Sequence, residues 1–253
     1  MNGERAMRVW TATTLCARRE QTTPGPQHAC LAAVDAVAAS GADLLLASGV
    51  SGIEQVYTTG SGARDASDLQ ITLGQGPGFE ALDSGRPVLV SDLTSAENMR
   101  RWPTFAPEMS RRGLRAVYSL PLALGAIRVG VLDLYREVPS DLTQDQLLDA
   151  LAYADTALLL VLDIRSGVMT SPDNNGASSD GVTLWHAEVH QAAGMVSAQL
   201  GIPVLEALVR LRARAYRQNV RLTELARSVV ERRMSFDAND EDLTIEQPRE
   251  DTP

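Results

Sequence analysis

Apolar positions along the chain change their period several times, and those changes mark out its elements. Residues 28–40 place Cys30, Val34 and Val37 at helical spacing, which predicts a helix stopped by Ser40 and Gly41. Residues 43–49 (DLLLASG) and 53–58 (IEQVYT) predict two short strands around a turn at Gly49 to Gly52. A third strand is expected at 87–91, and a fourth and fifth at 116–124 and 127–136, joined as a hairpin at Gly125-Ala126. Residues 143–163 read as one long amphipathic helix with Thr143 as its N-cap. Three more helices follow, at about 184–200, 204–218 and 222–234, separated by Gly201-Ile202-Pro203 and by Asn219. In the last of them Leu222, Leu225, Ala226, Val229 and Val230 fall at i, i+3, i+4, i+7 and i+8, the pattern of a helix buried on one side. Three helices with one stripe each make a minimal bundle.

Two segments lack any apolar period. Residues 20–27 (EQTTPGPQ) would break any helix before them and start a new unit, and residues 165–182 are rich in Ser, Asn, Asp and Gly. The expected layout is an N-terminal extension over 1–27, an α+β domain over 28–164 with an antiparallel sheet flanked by helices, a linker over 165–182, an all-α bundle over 183–236, and a disordered acidic tail over 237–253.

Charge changes the picture for one of these parts. The 253 residues carry a net −9, which by itself argues against a nucleic-acid partner. That charge is segregated: residues 1–181 hold −7, 182–236 hold +4 and 237–253 hold −6. All 23 basic residues are Arg. A genome biased toward Arg codons accounts for this, and the planar guanidinium also suits phosphates and base edges. Only two cysteines occur, Cys16 and Cys30, too few for a disulfide framework or a closed zinc site, so both are expected free. The first twenty residues lack an apolar signal core, and the apolar run 147–164 is interrupted by Asp149, Asp155 and Asp163. A cytoplasmic location without membrane association is expected.

On the helix at 204–218, Val204, Leu208, Leu211 and Ala215 share one direction at about 100° per residue, and Arg210, Arg214 and Arg217 cluster about 130° away. Arg221 extends that ridge, and Arg212 lies nearer the apolar side, where its stem can pack. Tyr216 is a candidate stacking platform beside it. Salt bridges to Glu206 or Glu224 are the competing account of the same arginines.

The phrases TLGQGPG (72–78), SGRPVLVSDL (84–93), WPTFAPEMSRRGLRAVYSLPL (102–122) and GVLDLY (130–135) together resemble a GAF domain, of the kind found in actinobacterial regulators. The resemblance implies a six-stranded antiparallel sheet, helices behind it and a small-molecule pocket in front. It leaves the cofactor unknown. The chain has no Lys for the Asn-Lys-Phe-Asp-Glu signature of cyclic-nucleotide binders, Cys30 sits on the first helix rather than where a bilin attaches, and His28 is the only His before residue 186. A structural or dimerising role therefore stands beside a sensing one. The Gly74–Gly78 run reads as a tight turn into a short helix, with backbone contact to an anion as the alternative.

The stretch 190–231 resembles an ANTAR domain, the three-helix RNA-binding module of bacterial transcription antiterminators. Ala192, Gly194, Ala207, Leu211, Arg212, Ala215, Asn219, Leu222 and Ala226 carry the match. Many members have Lys where this chain has Ala193. Of the matched residues, Ala192, Gly194, Ala207, Leu211, Ala215 and Ala226 are expected to pack, and RNA contact is assigned instead to Arg210, Arg214, Arg217, Arg221 and Tyr216. The implied partners are RNA hairpins in nascent transcripts and a second copy of the chain. A small-molecule sensor or a dimerising protein without RNA binding is the alternative. The acidic tail is either solubilising or an RNA mimic lying over the arginines. His186 and His190 have metal-binding spacing but no further ligand at matching distance, and no catalytic constellation has supporting context, so neither a metal site nor an enzyme is expected.

Overall fold

The computed structural model describes residues 3–48, 52–166, 187–218 and 220–236. They belong to two units, Met1–Thr183 and Leu184–Pro253. The expected turn at 49–52 lies almost wholly outside the described residues. So do most of the 165–182 linker, His186, Asn219 and the 237–253 tail.

The first unit begins with two helices, α1 (Gly3–Arg19) and α2 (Pro26–Val37). Helix α1 is more than an extension of the chain. It buries Val9, Thr13 and Ala17, one residue per turn, against its neighbours. Helix α2 stops at Val37, earlier than the Ser-Gly pair predicts, because Ala38 takes the left-handed conformation (φ 52°) and the Ala39 N–H donates to the Val34 carbonyl at 2.9 Å.

Five strands follow the expected ranges closely: β1 (Gly41–Ser48), β2 (Gly52–Thr59), β3 (Val88–Val90), β4 (Ala116–Leu124) and β5 (Ile127–Arg136). They form one antiparallel sheet in the order β2-β1-β5-β4-β3. The six strands implied by the family resemblance are thus five among the described residues, and the chain between β3 and β4 holds the short helices α5 (Ala96–Arg101) and α6 (Phe105–Arg111).

Alternation along the strands assigns the two faces of the sheet. Ala42, Leu44, Leu120, Leu132 and Leu134 point into a core shared with α2 and with α7 (Gln144–Ser166). The start of α7 is the expected Thr143 cap: the Gln146 N–H donates to Thr143 Oγ1 and the Thr143 N–H to Gln146 Oε1. Arg5 and Arg8 of α1 pair with Asp149 of α7, each at 2.7 Å. The opposite face of the sheet is covered by α3 (Ser61–Leu73) and α4 (Pro77–Ser84).

The second unit holds three mutually packed helices, α8 (Ala187–Leu200), α9 (Val204–Arg217) and α10 (Leu222–Val230). Gly201 ends α8 in the left-handed region, as expected. Helix α10 is shorter than the apolar pattern suggests. Arg232 adopts φ 58°, and the Arg233 N–H donates to the Ser228 carbonyl at 2.8 Å, which closes the helix and turns the chain back. Among the described residues no single helix is long and apolar enough to cross a membrane.

Candidate functional site

The covered face of the sheet carries a row of polar residues in direct cross-strand register: Thr58, Asp43, Asp133 and Ser119, ending at Val88 on the edge strand. Asp43, Asp133 and Ser119 are fully buried. Two residues further along β5, on the same face, Tyr135 sends its hydroxyl between the two carboxyls, 3.1 Å from Asp43 Oδ2 and 3.3 Å from Asp133 Oδ2. Gln70, from α3, donates through Nε2 to Asp133 Oδ2 at 2.8 Å and to the Tyr135 oxygen at 3.2 Å. Its Oε1 accepts the Gly78 N–H at 2.8 Å, which seats the first turn of α4 over the cluster.

This arrangement explains the glycine run. Gly74 caps α3 at φ 66°, Pro77 starts α4, and a Cβ on Gly78 would stand 2.5 Å from Asp133 Oδ2. The backbone group that the run brings close to a polar site is thus the Gly78 N–H, and its partner is the Gln70 amide. Asp43 Oδ1 and Asp133 Oδ1 have no hydrogen-bond partner among the described residues.

Burial sets the protonation of the cluster. Loss of solvation, then the neighbouring Asp133 charge, holds the Asp43 carboxyl well above the usual carboxylate range. Loss of solvation also pushes Asp133 up to about 6, while Ser119, Gln70 and Tyr135 oppose the rise. The Tyr135 hydroxyl has one proton and faces two carboxyl oxygens, so a carboxyl proton is needed to complete the network.

The other candidates in this unit are engaged locally. His28 is buried, and its Nδ1 accepts the Gly25 N–H at 2.8 Å, which leaves Nε2 as the ring donor, 3.1 Å from Glu20 Oε2. Cys16 and Cys30 are both free thiols, and burial raises the pKa of Cys30 strongly. Among the described residues no group of His, Cys, Asp and Glu is placed to hold a metal. His190 lies on α8, and His186, four residues before it, falls outside the described residues.

In the helical unit, Ala192, Ala207, Leu211, Ala215 and Ala226 are all fully buried where the three helices meet. Gly194 differs: it is exposed, and a Cβ there would meet nothing within 4 Å, because it sits two residues beyond Ala192 and on another side of α8. Ala193, the position of the missing Lys, is buried.

The arginine ridge proves heterogeneous. Arg210 is half-buried and donates to Glu206 Oε1 one turn earlier at 3.0 Å. Arg214 stacks its guanidinium over the Phe236 ring at 4.7 Å and donates to the Ser235 carbonyl at 3.5 Å. Arg217 is exposed in the last turn of α9, and Arg221 is exposed at the cap of α10. Arg212 is half-buried, and loss of solvation lowers its pKa. Tyr216 is exposed with Leu205 and Val209 on a separate face, roughly 120° round the helix from the arginines.

Several of these residues escape a reading by pattern. An Asp inside an apolar strand, as in DLLLA and GVLDLY, is the available signal for Asp43 and Asp133. Nothing local marks Gln70, or Phe236 as the anchor for Arg214.

No family model matches the sequence, and no curated protein matches it. Among the solved structures to which the chain is similar are GAF domains of several proteins. One comes from a phosphoenolpyruvate-protein phosphotransferase of Coxiella burnetii (13% identity over 64% of this chain and 98% of that one, TM-score 0.48). Another is the GAF-B domain of DevS from Mycobacterium smegmatis (16% identity, 57% and 96%, TM-score 0.41). A third belongs to a two-component sensor histidine kinase of Bacillus halodurans (15% identity, 56% and 96%, TM-score 0.42).

Proposed function

We propose that the chain is a cytoplasmic, signal-responsive RNA-binding regulator that acts by binding rather than catalysis. In this reading the first unit is a GAF-type sensor of a ligand or partner. The second is an ANTAR-type bundle that binds hairpins in nascent transcripts as part of a homodimer and promotes antitermination. The observation that carries the RNA reading is the division of α9: Ala207, Leu208, Leu211 and Ala215 are buried, while Arg210, Arg214 and Arg217 line another side within the one net-positive segment of the chain. The sensor reading rests on the phrases in 72–135 and on a sheet with helices on both faces.

A gel shift of the full chain with tandem-hairpin RNA tests the RNA reading. Arg210→Glu with Arg217→Glu is expected to abolish the shifted band and flatten its salt dependence while the helical circular dichroism is kept. These two positions avoid Arg214, which also holds Phe236. Binding equal to the parent would remove the RNA assignment and favour the small-molecule sensor or dimerisation reading. Mass spectrometry of the supernatant after denaturing purified protein identifies any ligand that the sensor unit carries.

A further inference from the structure

The buried polar row on the sheet has more hydrogen-bonding capacity than the described residues fill. Ser67 of α3 and Ser119 of β4 are fully buried beside Asp43 and Asp133, near enough to steady each carboxylate, yet neither hydroxyl reaches a partner at hydrogen-bond distance. Together with Asp43 Oδ1 and Asp133 Oδ1 they leave four unmet oxygens in one patch, where protein interiors rarely leave any. Among the described residues no basic side chain acts on either carboxyl, and the charge of Asp68 on α3, which acts on Asp43, is negative as well. The patch thus lacks positive charge and hydrogen-bond donors together. An anion is excluded, and a neutral donor supplies only half of what is missing.

The packing sets the size of what fits. A Cβ on Gly78 would stand 2.5 Å from Asp133 Oδ2 and 3.1 Å from Gln70 Oε1, so α4 closes over the pair and confines an occupant to a small head group. Directly opposed residues of an antiparallel pair have Cβ atoms about 4.5–5.5 Å apart, a gap that one nitrogen bridges between two carboxyl oxygens. A primary ammonium group brings one positive charge and three N–H donors. The row of unmet atoms continues to Thr58 Oγ1 and Gln55 Nε2 on β2, the half-buried edge strand, which gives an occupant a polar way in.

We propose that the ligand of the first unit is a small cation with a primary ammonium group, held between Asp43 Oδ1 and Asp133 Oδ1 with the Ser67 or Ser119 hydroxyl as third acceptor. Its N–H groups take the place of the carboxyl proton that the network otherwise needs. The proposal rests on the reading of the first unit as a ligand sensor and names the class of ligand.

Thermal unfolding of the full chain with added salts provides the test, since a ligand that binds only the folded state raises the melting temperature saturably. Ammonium chloride and butylammonium chloride are the probes, with potassium chloride and tetramethylammonium chloride at equal ionic strength as controls. The parent is expected to respond to at least one probe and to neither control. A stronger response to butylammonium marks an alkylamine and the reverse marks ammonium itself, and either supports the proposal. Asp43→Asn, of the same shape, is expected to weaken the apparent affinity about tenfold or more. Ser67→Ala with Ser119→Ala keeps both carboxyls, serves if the Asn variant does not fold, and is expected to weaken it about fivefold. No saturable response in the parent, an equal response to potassium or tetramethylammonium, or variants that fold and bind as the parent does would overturn the proposal. A natural ligand without an N–H cation, identified by mass spectrometry, would overturn it and leave the sensor reading standing. Amine binding that leaves RNA affinity unchanged would support the site and remove its role as a sensor.

Discussion

Asp43 on β1 and Asp133 on β5 stand directly opposite each other in the antiparallel ladder, both fully buried, with the Tyr135 hydroxyl within 3.3 Å of each. Two adjacent carboxyls without solvent cannot both ionise cheaply, so the first unit has a protonation equilibrium built into the centre of its sheet.

The pH dependence follows from the direction of the shifts. Burial makes Asp133 easier to protonate in the folded state than in the unfolded chain, so its contribution is fully present below pH about 4 and is lost as pH rises through about 6. Asp133→Asn removes this part of the dependence and leaves that of the buried Asp43 carboxyl. The melting temperature of the variant minus that of the parent is expected to grow between pH about 4 and about 7. A difference that is flat across that range would contradict the assignment.

Arg136 joins three parts of the first unit. Its guanidinium donates to the Val37 carbonyl at the end of α2 and to Ser140 Oγ at 2.7 Å, and it lies over the Tyr118 ring at 5.3 Å. Arg136→Leu leaves the Val37 carbonyl without this donor and is expected to cost about 2–4 kcal/mol in urea unfolding. Arg136→Lys should recover little, because an ammonium cannot reproduce the fork.

The arginines of α9 should separate by experiment. Arg214→Ala removes the contact that holds Phe236 against the bundle and is expected to lower stability by about 1–2 kcal/mol. Arg217→Ala touches only an exposed side chain and should stay within about 0.5 kcal/mol of the parent while weakening RNA binding. Equal melting temperatures for the two variants would show that the Phe236 contact does not contribute.

Deletion of residues 237–253 removes six net negative charges from the chain immediately after Phe236, which sits beside Arg214. If these charges compete with RNA, the deletion raises RNA affinity, and more at low salt than at high salt. Identical affinities in a gel shift at both salt concentrations would leave the segment a solubilising one.

Periodicity and turn residues are enough to place the five strands of the described residues, α7 with its Thr143 cap, and the one-sided helices of the second unit. These features depend on neighbours close in sequence: apolar spacing, capping side chains and Gly or Pro stops. Helix α1 was missed because its buried positions are Val, Thr and Ala, too small and too polar to stand out. The early stop of α2 was missed because it depends on Ala38 accepting a left-handed conformation in its tertiary setting.

The chemistry divides along the same line. Charge by segment and the spacing of Arg210, Arg214 and Arg217 are properties of one helix and were visible in the chain itself. Which of those arginines already has a partner depends on Glu206 and Phe236, and only folding brings Phe236 to Arg214. The buried cluster lies further from view, because Asp43, Gln70 and Asp133 are 27 and 63 residues apart along the chain. Strand register sets the two carboxyls side by side, and Gln70 reaches them from the helix above. Burial then shifts their protonation, which no count of acidic residues contains, because solvation is a property of the packed structure.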